Sequence, residues 1–166
     1  MFDTVTRYLA AFPDIRRRTA LRNVVIPLAD RSSSQPLTTA GLVISAAASP
    51  LAKTGAAAFY CVASGVPVTI AAGTNMPALT GINFTTGQFT VACFFVDSAG
   101  TRTALGGTPG ATLATLRWPQ FPAGKSLIGF LIITHSAAFT GGTTALDTAT
   151  TVFVSPLGSF DPTVLV

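Results

Sequence analysis

The chain has 166 residues and a single histidine, His135, which stands beside Ser136 with Asp147 further along. On paper these are a nucleophile, a base and an orienting acid. The strand predicted to end at His135 argues against that use, because adjacent residues on a strand point to opposite faces. Ser136 therefore does not meet the His135 ring as a nucleophile meets its base. The six Asp residues are dispersed and there is no Glu, so a paired-carboxylate hydrolase fits poorly. Asp97 precedes Ser-Ala-Gly and Asp161 precedes Pro, contexts in which Asp fixes turns. No ligand run has calcium-loop spacing, and Cys61 and Cys93 with one His are too few for a zinc site. Each Cys lies in an apolar run and reads as a buried free thiol, although a cross-strand disulfide is geometrically open. The expectation is a protein without enzymatic activity, cofactor or metal.

Two Gly-rich stretches also fail as chemistry. Gly106-Gly107-Thr108-Pro109-Gly110 and Gly141-Gly142-Thr143-Thr144 lack the lysine ending and strand-to-helix setting of a phosphate loop. Gly124-Lys125-Ser126 has that ending but not the upstream glycine. The two Gly-rich stretches read as β-loops.

The one concentrated charge feature is Arg16-Arg17-Arg18 with Arg22. Residues 1–31 hold six Arg against three Asp, whereas residues 32–166 hold Lys53, Arg102, Arg117 and Lys125 against Asp97, Asp147 and Asp161. The basic character implied by a pI near 9.7 thus belongs mainly to an N-terminal arm. Nucleic acid is not the expected partner, since a few Arg without interleaved aromatics bind phosphates weakly and with strong salt dependence. An acidic protein surface suits such an arm, and a merely solvated arm is the alternative.

Composition sets the frame for these residues. Apolar residues make up 49% and charged residues 10%, which excludes a disordered chain. Thr, Val, Ile and Phe are abundant while Glu is absent and Lys scarce, which favours strands over helices. So few charges predict a surface hidden against copies of the same chain or a larger assembly, with a neutral Thr/Ser-rich surface as the alternative. Residues 1–30 lack the order of a secretory signal, and no apolar run approaches the ~18–20 residues of a spanning helix. The expectation is a soluble chain made in a cytoplasm, with no membrane partner.

Along the chain, residues 4–12 have the spacing of a short helix, and residues 20–28 read as an extended segment with Pro27 near its end. Ser32-Ser33-Ser34-Gln35-Pro36 has linker composition. The predicted division is a basic arm and linker over 1–37 and a β body over 38–166. In the body, strands are predicted over 41–47, 56–64, 66–71, 82–84, 88–97, 101–105, 126–134 and 150–154. Gly65 makes a hairpin of 56–64 with 66–71, and Thr85-Thr86-Gly87 suggests a second hairpin of 82–84 with 88–97. The run over 91–96 is apolar on both faces and belongs at the centre of a sheet. Trp118-Pro119-Gln120-Phe121-Pro122 forms a proline-bounded corner, and Trp118 and Phe121 are the candidate exposed aromatic contacts, with packing in the core or the corner as the alternative. About eight strands separated by Gly or Pro turns predict a two-sheet β-sandwich or jelly-roll-like body.

The C-terminal third carries a resemblance. Phe121-Pro122-Ala123-Gly124-Lys125, the strand over 129–134, Phe139-Thr140-Gly141-Gly142-Thr143-Thr144-Ala145-Leu146-Asp147 and Phe153-Val154-Ser155-Pro156-Leu157-Gly158-Ser159-Phe160-Asp161-Pro162 follow one another. Together they resemble the ending of β-rich virion proteins of tailed bacteriophages, among them capsid decoration (cement) proteins. The resemblance spans residues 120–162 and rests on loop and strand patterns. It implies a non-enzymatic virion protein that binds the outer surface of the head, with the major capsid protein and copies of itself as partners, in a homo-oligomer such as a trimer. Arg16, Arg17, Arg18 and Arg22 would then form a capsid-contact arm. A tail or fibre component touching the host surface, or a carbohydrate-binding sandwich module, is the alternative.

Overall fold

Two long strands form the middle of the molecule, β7 (Phe89–Val96) and β9 (Ser126–Thr134). They pair antiparallel from Phe89 opposite Thr134 to Val96 opposite Ser126. Nearly every residue of both is buried, as their unbroken apolar sequence predicts. The register shifts between Phe94, opposite Gly129, and Phe95, opposite Leu127, so Ile128 is the extra residue of a β-bulge. Gly129 has a steric reason to be glycine: a Cβ there would sit 2.6 Å from Leu42 Cδ1.

The computed structural model describes residues 33–158. The predicted 4–12 helix, the extended 20–28 segment, Arg16, Arg17, Arg18 and Arg22, and the last eight residues lie outside them. The described residues are all-β and form a sandwich-like body of antiparallel sheets. The larger sheet adds β8 (Arg102–Gly106) outside β7 and β11 (Thr150–Val154) outside β9, giving the order β11-β9-β7-β8. The β7–β8 hairpin turns on Asp97, whose Oδ1 accepts from the amides of Ala99 (3.0 Å) and Thr101 (2.9 Å), as its turn context predicts.

The second sheet has the order β1-β4-β5, from β1 (Gln35–Pro36), β4 (Phe59–Ala63) and β5 (Val66–Ile70). The predicted hairpin at Gly65 is present, with Ala63 opposite Val66. Its two turn residues, Ser64 and Gly65, both have positive φ, the geometry that matches strand twist in a two-residue hairpin. Residues 33–37 correct the predicted division of the chain. They are not a linker: Gln35 and Pro36 pair with Val62 and Cys61, and the Ser33 carbonyl accepts from Gly65 N. Pro36 and Pro67 both sit on edge strands, where a missing N–H removes nothing from the central ladder.

Two short ladders complete the set. β2 (Val43–Ile44) pairs with β3 (Ala52–Lys53), and β6 (Asn83–Phe84) pairs with β10 (Phe139–Thr140). The second of these overturns the hairpin predicted for 82–84 with 88–97. Phe84 instead stacks on Phe139, with ring centroids 4.9 Å apart, a non-local apolar contact that local spacing does not reveal.

The larger sheet is buried on both faces. One face carries Ala92, Phe94, Val96, Ile128, Leu131 and Ile133, and packs with Phe59, Cys61, Ala63, Val68 and Ile70 of the second sheet. The other carries Val91, Cys93, Phe95, Leu127 and Phe130, covered by Leu116, Trp118 and Phe121 of the strap that follows β8. Phe59, Phe94, Phe95, Phe130 and Phe139 are fully buried, and each such side chain contributes roughly 1.5–3 kcal/mol.

Among the described residues, two core hydroxyls, those of Thr90 and Ser126, lack a hydrogen-bond partner of ordinary geometry. Buried Thr54 shows the contrast, since its Oγ1 donates to Ala71 O and accepts from Thr74 N, both at 2.9 Å. Thr90→Val keeps the shape and removes the unpaired group. It is expected to raise stability by about 1 kcal/mol, read as a higher urea midpoint at unchanged slope.

Candidate interaction surface

The strand chemistry that places His135 at the end of β9 also occupies it locally. Its Nδ1 lies 3.1 Å from Ala137 O and 3.3 Å from Ala137 N, within its own turn. Asp147 is elsewhere engaged: its Oδ2 accepts from Ala48 N at 2.7 Å, pinning the β2–β3 connection. The structure therefore does not bring His135, Ser136 and Asp147 together as a triad. A shallow hollow of about 280 Å³ beside His135 is lined by Gly87, Thr134, Ser136, Thr148 and Thr150, with neither a carboxylate nor a thiol. A second, of about 450 Å³, opens between Val43, Lys53, Ala56 and Ala72. No group of three metal-ligating side chains exists among the described residues, and no helix among them is long and apolar enough to cross a membrane.

Cys61 and Cys93 are free and buried, in β4 and β7. Burial pushes both thiols up from the ordinary 9.0, and for Cys61 the facing Ser126 hydroxyl pulls partly back. A thiol is a poor hydrogen-bond partner, which is consistent with Ser126 Oγ lacking a bond of ordinary geometry.

The outward face of the three-stranded sheet presents Gln35, Tyr60, Val62, Pro67 and Thr69, because these positions alternate with the buried ones. No charged residue occurs on β1, β4 or β5. Leu37 follows at 52% exposure beside Tyr60 at 49%, with Leu37 N donating to Tyr60 O. Leu157 is 64% exposed, and the next amide, Gly158 N, donates to Pro36 O. Both ends of the described chain thus leave beside this neutral, partly apolar face. The sequence reading missed it. The signal was present in the uncharged runs of β4 and β5, but the pairing of 33–37 with β4 was needed to see one surface.

Of the two readings open for the corner aromatics, the structure shows packing against the core. Trp118 and Phe121 are half-buried and belong to the second core cluster. Trp118 packs edge-on to Phe130, with centroids 4.8 Å apart, and Phe121 edge-on to Phe95 at 5.1 Å. The corner brings them down because the outer face of β7 and β9 needs a cover. No known protein family, curated protein or solved structure matches the chain.

Removing the Trp118 ring by Trp118→Ala is expected to cost about 2 kcal/mol in urea unfolding, below a fully buried aromatic because the ring is half-exposed. The thiols set a pH dependence. Below pH 9 they are protonated in both folded and unfolded chains. Above it the unfolded thiols ionise while the folded ones resist, so stability is lost as pH rises, by up to roughly 1.4 kcal/mol per unit for each thiol. Denaturation midpoints for the wild type and for Cys93→Ala check this: the variant should show the shallower alkaline decline.

Proposed function

We propose that this chain is a viral structural protein, a capsid decoration protein that binds the outer surface of a tailed-phage head and stabilises it. The observation that carries the reading is the uncharged outer face of the three-stranded sheet, with both described ends of the chain leaving next to it. A protein made to lie against other proteins needs such a surface, and a catalyst does not. The resemblance of residues 120–162 to virion proteins supplies the class of assembly. The major capsid protein and copies of this chain are the partners, and the virion is the location.

Stabilisation would follow mass action: a protein that binds the assembled lattice and not its dissociated subunits shifts the balance toward the lattice. The arm over 1–31 would add reach, since a second contact becomes intramolecular once the body has docked. Arg16, Arg17, Arg18 and Arg22 would meet acidic groups of the capsid. The alternative of a tail, fibre or carbohydrate-binding module drew on Trp118 and Phe121 as exposed rings, and their half-burial leaves it with less support.

Immunogold labelling of purified particles tests the reading. Label over heads is expected, while label confined to tails, or absent from particles, overturns it. With all four arm arginines changed to Ala, binding to heads is expected to weaken about tenfold or more, with body stability unchanged. Unchanged binding would remove the arm from the mechanism.

A further inference from the structure

We propose that β11 is a strand-addition edge at which two copies of this chain pair, Thr150–Val154 of one running antiparallel to Thr150–Val154 of the other. The two larger sheets have four outer strands, and three of them are guarded. β1 is two residues long, contains Pro36, and has the Pro36 carbonyl already taken by Gly158 N. β5 carries Pro67, which has no N–H to offer. β8 begins with Arg102, and Lys125 Nζ reaches Thr103 Oγ1 at 3.3 Å, so cations flank that edge. Prolines, short strands and charges are the usual guards against edge pairing.

β11 has none of them. It is five residues of Thr, Val and Phe, without charge or proline, in unbroken register with β9. The backbone groups on its far side have no hydrogen-bond partner among the described residues. Val152 is 52% exposed at its centre. An open row of N–H and C=O groups on an apolar strand is a template for another strand.

The same comparison selects the occupant. An incoming strand must bring an open edge, and on a second described body the unguarded long edge is again β11. An edge paired with itself is isologous and closes as a two-fold dimer, leaving that edge satisfied on both chains. Centred on Val152, the pairing sets Val152 opposite Val152, Thr150 opposite Val154 and Thr151 opposite Phe153. No like charges meet, and β-branched and aromatic residues make favourable cross-strand pairs. Val152 lies on the same face as Ile132, its partner on β9, so the joined sheets would share a continuous apolar strip.

This deepens the self-association part of the proposed function, yet it is tested without any capsid, so its failure and that of the virion reading are separable. Light scattering on the purified full-length chain should give twice 17.0 kDa. Val152→Lys, at an exposed side chain, should return the single-chain mass, with cooperative unfolding kept and a midpoint that no longer depends on protein concentration. Val152→Cys should yield a disulfide-linked dimer on mild oxidation, because the native thiols are buried. A wild-type chain that stays single at every concentration, a dimer that survives Val152→Lys, or no cross-link would overturn the proposal. So would a dimer lost on removing residues 1–31 but kept in Val152→Lys, which would assign the contact to the arm.

Discussion

The antiparallel pairing of β7 with β9 is the constraint on which the rest of the structure depends. Its backbone groups lie too deep for water, so they must satisfy one another along the whole ladder. Its side chains are apolar on both faces, so each face needs a cover. The β4–β5 hairpin covers one and the Trp118–Phe121 corner covers the other. The bulge at Ile128 and the bare Cα of Gly129 adjust the central ladder locally, making room for Leu42, which precedes β2.

The few charges of the body are largely used to hold its loops. Asp97 builds the β7–β8 turn, Asp147 ties down the β2–β3 connection, and the Arg102 guanidinium donates to Asn75 O at 2.8 Å. Lys125 reaches across to Thr103. Low charge usually threatens solubility. Here its cost is limited by guarding most sheet edges.

The arrangement of the chain ends belongs to the same picture. β1 is stitched to β4 on one side and receives Gly158 N on the other, so the two described ends converge.

Local composition and period determined much of this protein by themselves. The all-β class, the two buried central strands, the Gly65 hairpin and the Asp97 turn follow from residues close together in sequence: alternating or unbroken apolar runs, a Gly at a positive-φ position, an Asp beside free amides. What only the tertiary structure decided were the contacts between distant segments. Ser33-Ser34-Gln35-Pro36 has the composition of a linker, yet the open side of β4 captures Gln35–Pro36 as a strand. Phe84 prefers the face of Phe139 to its neighbour in sequence. Trp118 and Phe121, for which corner chemistry alone leaves exposure and packing both open, are drawn onto β7 and β9 by the uncovered apolar face beneath them. In each case the local sequence permits more than one outcome, and burial of apolar surface with all backbone groups paired selects among them.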